Sequence, residues 1–73
     1  MGKLGNISGK EAAKAFGRAG WRVTGQVGSH LVMTKEGQRA NLSIPQYKEL
    51  SVGTLRALIR AASMTVEAFV ELL

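Results

Sequence analysis

The chain has 73 residues, ten lysines and arginines against five acidic residues, and a net charge of +5. This length fits one domain, which we place at residues 1–73 with residues 1–6 as a loose extension. The basic balance favours a polyanionic partner, such as nucleic acid, an acidic protein or an anionic membrane, over an ordinary soluble surface. Without cysteine, a disulfide framework and a thiol nucleophile are both excluded.

Several further classes are disfavoured by composition. A single histidine with neither cysteine nor aspartate lacks the ligand set of a zinc site, so we expect neither metal nor cofactor. No apolar run approaches the roughly 20 residues that span a bilayer, and the basic residues form no polybasic run. The N-terminus also lacks the apolar stretch of a secretory signal. We therefore expect a cytoplasmic protein without membrane contact.

The first predicted element is a helix from Gly9 to Ala19. Ser8 and Glu11 have the spacing of a capping box, and Gly20 favours a left-handed stop. Basic residues recur every four positions along this helix and form one stripe on its outer face. The stripe either contacts a phosphate backbone or is an ordinary solvated face; its members are Lys10, Lys14 and Arg18.

Three segments of alternating polarity follow and predict strands. They are joined by short glycine-containing links, which favour an antiparallel meander. We expect Trp21 and Val23 on one face of the first strand and a hairpin loop at residues 25–29. The predicted strands are residues 21–24, 30–34 and 39–44, and Pro45 ends the third. The residues expected to point inward are Leu31 and Met33 in the second strand and Ala40, Leu42 and Ile44 in the third.

Two more helices complete the predicted fold. Ser51 is the expected cap of the second helix, whose Leu and Ile stripe leaves Arg56 and Arg60 outside it. Thr65 is the expected cap of a short final helix. The fold class is α+β, with the order α-β-β-β-α, a three-stranded antiparallel sheet and a short C-terminal helix. The predicted core contains Phe16, Trp21, Leu31, Leu42 and Leu58.

His30 is the candidate catalytic residue. It is the only histidine, and histidine is the residue type that exchanges protons near neutral pH. Strand alternation puts it on the face opposite Leu31, while Gly28 leaves room for a ligand's backbone to approach. Adjacent Ser29 would point the other way, so we expect it to shape the turn rather than form a dyad. The alternative is a strand histidine that only contributes a polar edge.

Three segments, taken in order along the chain, resemble the HicA toxin family, also called YcfA-like. They are Ile7–Glu11, Gly28–His30 and Lys48–Arg60. The resemblance as a whole covers residues 7–73. The resemblance implies a fold like that of double-stranded-RNA-binding domains, with both main helices on one face of the sheet. It also implies a toxin that cleaves mRNA, is inhibited by a HicB-type antitoxin, and uses the histidine of the Gly-Ser-His motif, here His30, as catalytic residue.

This sequence departs from the family at one position. Many members carry a second histidine shortly before the Lys-Glu-Leu segment, where Tyr47 stands here. A tyrosine hydroxyl is a poor base at neutral pH, so we assign Tyr47 no catalytic role.

The resemblance implies ribonuclease chemistry that needs no metal. An imidazole can take the proton of an RNA 2′-hydroxyl, whose oxygen then attacks the adjacent phosphorus, while cations stabilise the added charge. Two alternatives stay open: a non-catalytic RNA-binding module and a domain that binds an acidic protein. Few aromatic residues argue against base stacking of single strands. The candidate RNA contacts are Lys10, Lys14, Arg18, Arg22, Lys35, Arg39, Lys48, Arg56 and Arg60.

Overall fold

The computed structural model describes residues 3–73 as one three-stranded antiparallel sheet with three helices. The strand order is β1-β2-β3, and both pairings are antiparallel. The α+β class, the element order and the short last helix are therefore confirmed. No helix of this range has the length and apolar character to cross a membrane. The elements are α1 (Gly9–Arg18), β1 (Arg22–Val27), β2 (His30–Thr34), β3 (Leu42–Pro45), α2 (Val52–Ala61) and α3 (Val66–Glu71).

Side-chain caps fix where the helices begin. The Ser8 hydroxyl accepts from the Glu11 amide at 3.0 Å, and the Glu11 carboxylate accepts from the Ser8 amide at 2.9 Å. Ser51 and Thr65 each accept from the amide three residues on, at 3.1 Å. Each such cap stabilises its helix by about 1 kcal/mol. All three caps predicted from sequence are confirmed.

The helices cover one face of the sheet. Both α1 and α2 pack against β3, and α3 packs against both helices, where the Phe16 and Phe69 rings lie 4.9 Å apart. The sheet contributes Met33, Leu42 and Ile44 to this core. Ser43, on the opposite face, is exposed. The domain is thus a two-layer arrangement with one open sheet face, as the resemblance implied.

The core predicted from the sequence is wrong in part. Phe16, Trp21, Leu42 and Leu58 are buried, but Leu31 is only half-buried. Because the helices pack mainly over β3, the β1–β2 hairpin projects beyond their cover, and every residue of β1 is exposed.

Strand boundaries also differ from the alternation pattern. Strand β1 begins after Trp21 and runs to Val27, so the predicted five-residue loop shrinks to two residues. A register shift between Val23 and Gly25 inserts one extra residue, which breaks the alternation that sequence reading relies on. Val23, expected to share the face of buried Trp21, pairs with buried Met33 and so lies on the helix-facing side, but it is 54% exposed because the helices leave β1 uncovered. Ala40 was expected to point inward, but it is exposed and precedes β3.

The N-terminal segment takes part in the core. Leu4, assigned to a loose extension, is only 3% exposed and packs in the main cluster. Ile7 is also buried, and its carbonyl accepts from the Leu50 amide at 2.8 Å. The buried side chains of Leu4 and Ile7 anchor this segment to the core, so residues 3–6 are packed against the domain and are not a loose extension. Residues 1 and 2 lie outside the described range.

The first turn of α1 touches the end of β3 without an intervening side chain. A Cβ atom at Gly9 would collide with the Pro45 carbonyl oxygen and lie 2.9 Å from the Gln46 Cα. The Gly9 amide donates to the Tyr47 carbonyl at 2.9 Å. A residue without a side chain is therefore required at this helix start.

We predict that Gly9→Ala destabilises the domain by about 1–3 kcal/mol, because the added methyl group forces two backbones apart. Gly53→Ala is the matched control, since Gly53 also lies in a first helical turn and a Cβ there would meet nothing within 4 Å. That control should be stabilising by about 0.5–1 kcal/mol. Urea unfolding of both variants measures the difference, and equal effects would contradict the close-approach argument.

Candidate functional site

His30 is the first residue of β2 and lies on the open face of the sheet. Its partners in the strand register are Val27 of β1 and Pro45 of β3. The next residue, Leu31, pairs with Ile44, whose side chain is buried under the helices. Because successive strand residues point to opposite faces, the half-buried His30 faces away from the helical layer.

A two-residue hairpin turn presents His30 to solvent. Gly28 has φ +59°, whereas Ser29 does not have a positive φ, which is the pattern of a type II′ turn. A Cβ at Gly28 would meet nothing within 4 Å, so the glycine is needed for its backbone conformation and not for space. The Gln26 side chain donates to the Gly28 carbonyl at 3.1 Å and braces the turn.

Backbone hydrogen bonds fix the segment after β3 beside this turn. The Gln46 amide donates to the Ser29 carbonyl at 2.7 Å, so Ser29 acts through its main chain. The next residue, Tyr47, is held through its carbonyl by the Gly9 amide. Three separate parts of the chain therefore meet at His30.

Tyr47 is the one neighbour that sequence reasoning undervalued. Its ring centroid lies 6.3 Å from that of His30, and the two ring planes are 72° apart, an edge-to-face arrangement. Tyr47 is nevertheless 54% exposed. Pro45 pairs with His30, and Tyr47 follows only two residues later. This short spacing is the sequence signal that places Tyr47 near His30.

The basic stripe of α1 belongs to the helical layer, whereas His30 lies on the open face of the sheet. Its residues face away from the buried Ala12, Ala15 and Phe16 of the same helix. Arg18 has a structural contact in addition, because its guanidinium donates to the Leu72 carbonyl at 2.7 Å. This hydrogen bond ties the end of α1 to the end of α3. The positive charge of Arg18 also interacts favourably with the dipole of each helix, because it lies at their C-terminal ends. The stripe consists of Lys10, Lys14 and Arg18, all exposed.

The two arginines of α2 belong to the helical layer as well. Arg56 and Arg60 line a cleft of about 400 Å³ between α2 and α3, together with Ile59, Met64 and Val66. Both arginines are exposed. They therefore lie in the helical layer and not on the open sheet face.

The remaining candidate RNA contacts are spread over the sheet and its loops. Arg22 pairs with Thr34, which is four residues along β2 from His30 and so about 13 Å away. Lys35 lies against Gly20, and Arg39 is in the loop before β3. Only Lys48, exposed and adjacent to Tyr47, follows directly on the His30 surroundings. The nine predicted basic residues do not converge on one place.

No group of three or more His, Cys, Asp or Glu side chains within residues 3–73 is arranged to hold a metal ion. What the site offers is an accessible imidazole on an open surface, an exposed aromatic ring beside it and a lysine next in sequence. Such a surface can accept an extended chain from solution.

A family model described as "HicA toxin of bacterial toxin-antitoxin" matches residues 9–64. The match runs from the start of α1 to just beyond α2 and includes the whole turn with His30. The chain belongs to the HicA family. It is accordingly a toxin of a toxin–antitoxin system, and HicA membership implies an antitoxin as partner. No curated protein matches the chain.

For this HicA protein, we predict that a basic residue near His30 contributes more to binding of a short RNA than a basic residue of the helical layer does. With a short oligoribonucleotide, Lys48→Ala should reduce the salt dependence of binding by about 0.7 in log–log slope, the loss of one phosphate contact on a single strand. Lys14→Ala is the matched control, because it removes the same charge from an exposed position of the helical layer. Fluorescence anisotropy across a salt series measures both slopes; equal reductions would contradict the assignment.

Proposed function

We propose that this HicA protein is an endoribonuclease that cleaves mRNA with His30 as general base. The observation that carries the proposal is the half-buried, outward-facing imidazole that follows a Gly-Ser turn, on an uncovered sheet face, in a chain that belongs to a toxin family. The class of substrate, mRNA, is what the sequence resemblance to HicA toxins implies.

The proposed reaction uses the nucleophile that RNA carries. The His30 imidazole takes the proton of a 2′-hydroxyl, and the oxygen attacks the neighbouring phosphorus. The new bond joins the 2′ oxygen to phosphorus, and the bond from phosphorus to the 5′ oxygen breaks. The departing 5′ oxygen takes up a proton from solvent, which leaves a 2′,3′-cyclic phosphate and a 5′-hydroxyl. A positioned base of this kind contributes about 10²- to 10⁴-fold in rate.

Cations have a separate part in this proposal. A positive charge near the phosphate stabilises the charge that builds up in the transition state. Lys48 is the best candidate, because it adjoins Tyr47 beside His30. The basic residues of the helical layer would attract a longer RNA, since electrostatic attraction acts over about 8–10 Å at ordinary salt.

The proposed regulator is a HicB-type antitoxin. Membership of a toxin–antitoxin family supports an antitoxin in general, and the family resemblance supports the HicB type. In this proposal, the antitoxin inhibits RNA cleavage when bound.

We predict that His30→Ala abolishes RNA cleavage and the growth arrest caused by expression, because the proton acceptor is lost. Thr34→Ala is the control, since Thr34 lies on the same face of the same strand but away from the site. The free energy of unfolding of each variant should lie within about 0.5 kcal/mol of the wild-type value, as expected for residues that are not fully buried. Gel analysis of RNA after incubation measures cleavage.

The same experiment distinguishes the competing functions. If folded His30→Ala cleaves like wild type, the general-base assignment is wrong. If wild type binds RNA without cutting it, the protein is a non-catalytic RNA-binding module of the same fold.

A further inference from the structure

Among residues 3–73, Tyr47 is the only phenylalanine, tyrosine or tryptophan whose side chain is exposed. The chain contains four aromatic residues, and Phe16, Trp21 and Phe69 are all at most 2% exposed, against 54% for Tyr47. The core therefore does not account for this ring. Its edge-to-face arrangement with His30 can cover at most one face of the tyrosine, and more than half of the residue is exposed.

The backbone from which this ring projects is held from two sides. Gly9 on α1 donates to the Tyr47 carbonyl at 2.9 Å, and the preceding amide of Gln46 donates to Ser29 at 2.7 Å. The Gln46 side chain also donates to the Ile44 carbonyl at 3.1 Å. These bonds fix the main chain at Tyr47, so only the side-chain torsions remain to be ordered when a ligand binds. That cost is small for tyrosine, which has about two such torsions.

We infer that Tyr47 is a substrate-binding residue that stacks on the nucleobase of the nucleotide attacked at its own 3′ phosphate. This inference rests on the proposed ribonuclease function. Ribose carries the base and the 2′-hydroxyl on adjacent carbons, so a base on Tyr47 brings its own 2′-hydroxyl towards an imidazole 6.3 Å from the ring. Stacking thereby positions the hydroxyl from which His30 takes the proton.

The inference defines the substrate as an unpaired nucleotide. In duplex RNA the faces of each base are covered by its neighbours, and proteins reach mainly the shallow groove and the backbone. A base must leave the stack before Tyr47 can contact its face. The site therefore selects single-stranded RNA, although the fold resembles that of duplex-binding domains. The low aromatic content argued against base stacking, but the inference needs only one ring, and Tyr47 lies beside His30. Stacking tolerates any base, so Tyr47 contributes affinity and placement with little sequence preference.

The kinetic test compares Tyr47→Ala with Tyr47→Phe on a single-stranded oligoribonucleotide. Loss of the ring should lower kcat/KM by about 5- to 150-fold, the usual range for one stacked base. Phenylalanine keeps the ring and should restore cleavage. Val23→Ala is the matched control, because Val23 is also 54% exposed but pairs with Met33 on the helix-facing side of the sheet. The same sequence in a duplex should be a poor substrate for wild type.

A binding test separates stacking from a merely structural role. An oligoribonucleotide that carries the fluorescent base 2-aminopurine is bound to His30→Ala, which leaves the RNA uncut. Fluorescence should be quenched on binding, and quenching should be lost in His30→Ala/Tyr47→Ala but kept in His30→Ala/Tyr47→Phe.

The outcomes distinguish this inference from the proposed function. Equal quenching with and without the Tyr47 ring overturns the stacking, whatever the cleavage result. If Tyr47→Phe loses as much activity as Tyr47→Ala, the hydroxyl and not the ring is responsible, and the inference is again wrong. If wild type quenches through Tyr47 but cuts no RNA, the stacking stands and the ribonuclease proposal fails.

Discussion

The close approach of α1 to the end of β3 is the contact on which both the core and the candidate site depend. Gly9 has no side chain, so the helix start can rest directly on the Pro45 carbonyl. The same approach brings the Gly9 amide to the Tyr47 carbonyl. One backbone contact thus docks the helical layer on the sheet and positions the residues beside His30. A side chain at this position would displace both.

Local signals in the sequence were sufficient for much of the fold. The cap at Ser8 and the caps of the later helices depend on residues three positions apart, so a short stretch of sequence determines them. Alternation in β2 and β3 correctly gave buried Met33, Leu42 and Ile44. The outward orientation of His30 follows from the same alternation, because β2 contains no bulge.

Features that depend on distant parts of the chain could not be predicted in the same way. The half-burial of Leu31 depends on where the helices stop covering the sheet, which no periodicity encodes. Val23 lies on the helix-facing side, as its pairing with Met33 requires, but it is exposed because the helices do not extend over β1. The contact of Tyr47 with His30 requires the end of β3 to be docked against the hairpin turn, and the structural use of Arg18 requires α3 to be in place.

The bond from Arg18 to the Leu72 carbonyl joins residues 54 positions apart, so the first and last helices of the domain are tied together. Phe69, in the final helix, is fully buried against Phe16 of the first. Both contacts join residues more than 50 positions apart, and contacts of this kind slow folding because the intervening loop must close before they can form. The first helix therefore reaches its final place only once the last one has packed against it.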